Sequence, residues 1–142
     1  DLSGQTTIEL TPDNWKGLLE VNLTVNRDVE LYLDKDQYQE EEFWNYPSSG
    51  YGDCEDIALE KRSRLVRRGF PRGAFRIAIG YHKKTLMSHA VLTVETRQGT
   101  FVMDSIKDQI YIWYKTPYNF ETRERTDGTW ERYDQDMWTF SE

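Results

Sequence analysis

Cys54 is the only cysteine in the 142-residue chain, and it stands in the run Tyr51-Gly52-Asp53-Cys54-Glu55-Asp56. A glycine-rich turn, Ser48-Ser49-Gly50-Tyr51-Gly52, leads into it. The spacing predicts a helix with Asp53 as N-cap, Asp56 completing a near capping box, and Cys54 as the first helical residue. Free N–H groups and the positive end of a helix dipole favour a thiolate over a thiol at that place. Gly69, with Pro71 just beyond, predicts the helix stop after Arg68. At about 100° per residue, Cys54, Ile57, Ala58 and Leu65 share one face, which turns the sulfur toward the body of the protein. A lone cysteine is also often a small buried hydrophobe. On this stretch alone both readings stand.

A nucleophilic thiol needs a base, and the base needs a group to orient it. Of the two histidines, His82 and His89, the second opens a stretch rich in β-formers that runs to Glu95. Asp104 closes the next such stretch, which starts at Thr100, and Thr96-Arg97-Gln98-Gly99 reads as the hairpin between them. With an even number of loop residues, His89 and Asp104 project from the same face of a sheet, either opposite each other or offset along the strand. A helix-start cysteine packed on that face would meet an imidazole backed by a carboxylate. A lone histidine on a strand can equally be structural.

The rest of the chain must supply the frame. Thr11-Pro12 is a helix start, and Trp15, Leu18, Leu19, Asn22, Val25 and Val29 continue it with helical spacing to Arg27 or slightly beyond. Asn22 and Asn26 interrupt its apolar character, and buried amides there need partners. The acidic stretch Asp34 to Glu42 reads as irregular or one short turn. After the Cys54 helix the period becomes two. Phe75, Ile77, Ile79 and Tyr81 alternate with Arg76, Ala78 and Gly80, and Ile110 to Tyr114 reads as a fourth strand. A last hairpin runs through Asp127-Gly128 toward Trp138. Helices first and antiparallel strands after them predict one α+β domain over residues 1–142, the N-terminal helices packed on the sheet.

Composition narrows the function. Aromatics make up 14% of the residues, which argues for a folded globule, and a net charge of -7 argues against nucleic acid as a partner. No apolar run reaches the roughly 18 to 20 residues of a membrane span, and no signal-peptide pattern is present. One cysteine excludes an intrachain disulfide, and one cysteine with two histidines supports no structural zinc site.

Val21-Asn22, Val25-Asn26-Arg27, Trp44, Pro47, Gly52-Asp53-Cys54-Glu55-Asp56, Gly69, His89-Ala90-Val91-Leu92 and Met103-Asp104 together resemble the bacterial transglutaminase-like cysteine peptidases. That family includes a periplasmic, calcium-dependent protease that releases large surface adhesins and so disperses biofilms. The resemblance implies a papain-like, transglutaminase-type fold with Cys54, His89 and Asp104 as catalytic residues. It implies calcium on Asp53 and Glu55, with Asp56 beside them, and no organic cofactor. Read from the residues alone, Asp53 is equally the helix cap and Glu55 a solvated first-turn acid. The resemblance further implies a periplasmic location, a protein substrate of the adhesin kind, and control by an inner-membrane receptor. The oxyanion would be met by the Cys54 backbone N–H, with the Trp44 indole as a candidate second donor.

The departures from the family pattern bear on substrate. Pro47 and Gly52 are nearly adjacent where the family has a longer, Glu-containing segment. Met103-Asp104-Ser105 replaces Leu-Asp-Asn, and Glu42 stands where an Asp is common. The triad is complete, so these changes touch substrate preference and allow a homologue with no adhesin in its pathway. Two further hypotheses remain: an amide-transferring enzyme with the same chemistry, and a noncatalytic peptide- or carbohydrate-binding domain. The second is suggested by Tyr111, Trp113, Tyr114, Tyr118 and Trp130.

Overall fold

The computed structural model describes residues 5–36 and 51–132, with side chains described over 5–29 and 54–132. Two helices, α1 (Pro12–Asp36) and α2 (Tyr51–Arg67), precede six strands: β1 (Phe75–His82), β2 (Ser88–Thr96), β3 (Gly99–Met103), β4 (Tyr111–Ile112), β5 (Tyr118–Glu124) and β6 (Trp130–Arg132). The strands form one antiparallel sheet in the order β4-β3-β2-β1-β5-β6. This is the α+β architecture that the periodicities predict.

Local chemistry explains the ends of the helices. Thr11 Oγ1 accepts from the Asn14 N–H at 3.1 Å, so Thr11 caps α1 and Pro12 opens it. Gly69 takes φ +102°, and Phe70 N–H donates to the Leu65 carbonyl at 3.1 Å, which closes α2 as Gly69 predicts. The start of α2 differs from expectation. The helix begins at Tyr51, so Asp53 lies inside its first turn and is not the cap, and Cys54 is the fourth residue. The glycine-rich run ends inside helix because Gly52 tolerates a helical φ as readily as any other.

Leu18, Val21 and Val25 of α1 pack with Ile57, Ala58 and Leu65 of α2 against Phe75, Ile77, Ala90, Leu92, Val94 and Met103 of the sheet. A second apolar layer covers the other face: Ala78, Val91, Val102, Ile112, Trp113, Tyr118 and Phe120. The predicted strand from Ile110 to Tyr114 is cut to two residues because Trp113–Lys115 turns into a 3-10 helix. Thr116 holds that turn, its N–H and its hydroxyl both donating to the Trp113 carbonyl at 3.2 and 2.7 Å. Trp113 is thereby folded into the outer layer beside Ile112, where an alternating strand would have sent it the opposite way. The last hairpin forms with Gly128 at φ +89° in its turn. Trp138 and Trp44 lie outside the described residues.

Candidate active site

Three elements deliver three side chains. Cys54 comes from the first turn of α2, His89 is the second residue of β2, and Asp104 follows the last residue of β3. Thr96 pairs with Gly99, so the hairpin loop has two residues, and the even count puts His89 and Asp104 on one face. Cys54 Sγ lies 3.1 Å from His89 Nδ1, and His89 Nε2 lies 2.6 Å from Asp104 Oδ1. Cys54 is half-buried, whereas Asp104 is buried.

One positional expectation fails. His89 and Val91 share a parity, and Val91 belongs to the outer layer, while Cys54 packs against the helix-side core. The helices therefore cover the face opposite to the one that carries His89. The thiol and imidazole still meet because His89 is at the end of its strand.

Burial works against a charge on His89, yet hydrogen bonds to Asp104 and Cys54 outweigh it and raise the imidazole from 6.5 to about 9. Burial likewise opposes charge on Asp104, but its bond to His89, then the bonds from Tyr118 and the Ile106 N–H, hold it below the usual carboxylate range. An imidazolium stabilised by a carboxylate on one side, with sulfur on the other, is an arrangement that can pass a proton between thiol and leaving group.

Two neighbours were not singled out from sequence as site residues. Tyr118 donates to Asp104 Oδ2 at 2.5 Å and stacks on His89 with ring centroids 5.1 Å apart. Lys61, fully buried, donates to Asn22 Oδ1 at 2.7 Å and to the Asp104 backbone carbonyl at 2.9 Å. Lys61 had a visible signal: four residues after Ile57 and four before Leu65, it falls on the buried face of the helix. Burial pushes it down to about 7 against the attraction of Asp104, Asp108 and Cys54. The two asparagines find the partners their position demands. Asn22 Nδ2 donates to the carbonyls of Lys107 and Asp108, both at 2.9 Å, and Asn26 Nδ2 donates to those of Asp104 and Lys107 at 3.0 and 3.1 Å. Both helices thus clamp the loop that begins at Asp104.

The acids beside the sulfur are less converged. Glu55 is half-buried and Asp56 exposed, and among the described residues no three His, Cys, Asp or Glu side chains group as a metal site. The side chain of Asp53 lies outside the described set.

The family model of the bacterial transglutaminase-like cysteine proteinases (BTLCP) matches residues 1–137. The chain belongs to that family and is a cysteine peptidase, a hydrolase. Among solved structures it is similar to calcium-bound LapG of Legionella pneumophila, with 21% identity and a TM-score of 0.57 over 84% of this chain and 71% of that one. The EGTA-treated form of LapG aligns at 18% identity and a TM-score of 0.59, over 87% of this chain and 69% of that one. At such identities the likeness is one of fold. No curated protein sequence matches the chain.

Proposed function

We propose that the protein is a cysteine endopeptidase, one domain in extent, that cleaves a protein substrate through Cys54, His89 and Asp104. The contact that carries this reading is the sulfur at 3.1 Å from an imidazole whose other nitrogen is 2.6 Å from a buried carboxylate. Cys54 attacks the peptide carbonyl and forms a thioester. His89 takes the thiol proton, then gives it to the departing amine, and later activates the water that releases the acyl group. Asp104 keeps the ring in the tautomer that presents Nδ1 to sulfur. An oxyanion role for the Cys54 N–H, with the Trp44 indole, belongs to the same reading.

Calcium enters through the solved LapG structure that is calcium-bound. Asp53, Glu55 and Asp56 offer hard oxygen donors, the chemistry that calcium takes. All three belong to the first two turns of α2, and an ion held by them would neutralise their repulsion and secure the start of that helix. A periplasmic location, an adhesin-like substrate and an inner-membrane receptor extend this reading through the family resemblance. No helix among the described residues is long and apolar enough to cross a membrane.

A thiol-reactive peptide probe tests the central claim. It should label Cys54 in the native protein and fail to do so after His89→Ala. Equal labelling of both proteins would rule the pair out as the reacting groups.

A further inference from the structure

The carboxylate behind His89 has a second oxygen, and the structure accounts for it. Oδ1 of Asp104 faces His89 Nε2, and Oδ2 accepts from the Tyr118 hydroxyl at 2.5 Å. The Tyr118 ring also lies nearly parallel to the imidazole, 26° between planes. One side chain therefore touches both the base and the group that orients it.

Topology makes that contact unusual. β2 and β5 are not neighbours, since β1 runs between them. Their backbones are about 10 Å apart at ordinary strand spacing. Gly80 of β1 pairs with His89 on one side and with Phe120 on the other, and His82 pairs with Tyr118. Paired residues share a face, so Gly80 sits on the same face as both rings, and it has no side chain to separate them. The register of β1 against β5 shifts between Ile79 and Gly80. A Cβ at Gly80 would collide with the Asn119 carbonyl oxygen and come within 2.8 Å of Phe120 Cα. The bulge and the glycine bring β5 in close, and Tyr118 with it.

We propose that Tyr118 is a positioning residue: its hydroxyl fixes the plane of the Asp104 carboxylate, and its ring fixes the tilt of the His89 imidazole. The inference rests on Cys54 and His89 being the reacting pair. Without the hydroxyl, Oδ2 is a buried acceptor short of a donor, and the carboxylate protonates more readily and can turn away from Nε2. The imidazolium then loses support, and with it the thiolate. Burial and the adjacent carboxylate raise the phenol above its ordinary 10, so Tyr118 remains a donor through the working range. Among the described residues, Lys61 bonds the Asp104 backbone carbonyl and leaves the carboxylate oxygens to His89 and Tyr118, and His82 meets the Tyr118 ring edge-on with centroids 5.9 Å apart.

The His89 imidazole, followed by NMR against pH, reads the pair without any substrate. In the unsubstituted protein it should titrate at about 9. Tyr118→Phe keeps the ring and loses the hydroxyl. The imidazole should then titrate about one pH unit lower, a roughly tenfold loss of its hold on the proton. Tyr118→Leu should lose more, and the difference from Phe measures the stack. A merely structural tyrosine would lower the melting temperature and leave the His89 titration in place. An unshifted titration in Tyr118→Phe overturns the positioning role. An ordinary imidazole titration in the unsubstituted protein overturns the Cys54–His89 reading and this inference with it. Should Tyr118→Phe fail to fold, the unsubstituted protein still decides. Its His89 Nε2–H and Tyr118 hydroxyl protons should appear as slowly exchanging low-field resonances, and their absence overturns the proposal.

Discussion

The outer face of β2 carries buried charge at both ends, and the two ends behave differently. At one end His89 meets Asp104, Tyr118 and the sulfur of half-buried Cys54. At the other, Glu95 accepts from the Thr100 hydroxyl and pairs with Arg123 Nη1 at 3.4 Å, while Arg76 Nη1 lies 3.8 Å from Glu131. Val91 and Thr93, both buried, separate them. Burial lowers the Arg123 guanidinium below the ordinary arginine range against the pull of Glu95, yet an arginine does not lose its proton in a protein. The far end is a fixed ion pair. The near end contains an imidazole raised to about 9 and a lysine lowered to about 7, both within reach of neutral pH. Buried charge therefore does not by itself mark a site. Groups that exchange protons near neutrality beside a thiol make the near end the candidate.

The comparison breaks most sharply in turnover. Cys54→Ala should abolish hydrolysis with the fold intact, since alanine suits a helix. Asp104→Asn should slow it roughly a hundredfold to ten-thousandfold, less than His89→Ala, because a base remains. An active Cys54→Ala protein, or a fully active Asp104→Asn protein, would dissolve the distinction between the ends.

The mirror experiment sits at the far end. Arg123→Met removes the guanidinium that pairs with buried Glu95 and should cost about 3–5 kcal/mol in urea unfolding, with kcat per folded molecule unchanged. A drop in kcat at constant stability would make Glu95 and Arg123 part of the catalytic machinery.

Calcium should separate the ends again. A calcium chelator should lower activity, and calcium but not magnesium should restore it. Saturating calcium near 100 times its Kd should stabilise by about 2.7 kcal/mol, equally in the unsubstituted protein and in Arg123→Met. Because α2 begins at Tyr51, Asp53→Ala removes no helix cap, so its effect on calcium affinity is readable alongside that of Glu55→Ala. No heat of calcium binding in calorimetry, together with an unchanged rate in chelator, would remove the metal.

The smallest effect is a slope. His89 is raised in the folded state from 6.5 to about 9, so it binds the extra proton there, and its stabilisation is full below 6.5 and lost as pH climbs through about 9. Lys61 is lowered from 10.5 to about 7, so the unfolded chain binds the extra proton, and stability rises with pH between those values. The two oppose each other from pH 7 to 9. Lys61→Met removes the offset, and urea midpoints should then fall more steeply over that window than in the unsubstituted protein. Parallel slopes would mean that Lys61 does not titrate there.

Much of this frame was legible along the chain because its signals are local. Thr11-Pro12 capped a helix, Gly69 stopped another, the period changed from helical to two after Pro71, and Thr96 to Gly99 marked a hairpin whose loop length the strand pairing then fixed at two residues. Each depends on residues within a few positions of one another, where backbone sterics and hydrogen bonding decide. The starting point of α2 was misread by three residues, since a glycine-rich run is compatible with both turn and helix.

What the amino-acid order could not determine was which distant strands would lie side by side and which face the helices would cover. Tyr118 is 29 positions from His89 by number, yet the order β2-β1-β5 and the bare Gly80 place their rings in contact. Lys61 shows its helical face in the sequence, but that its partners are Asn22 and the Asp104 carbonyl depends on how α1 and α2 pack. Periodicity specifies which side of an element is buried. Strand order and the crossing of helices follow from the joint packing of both apolar layers, a property of the whole chain that no local window contains.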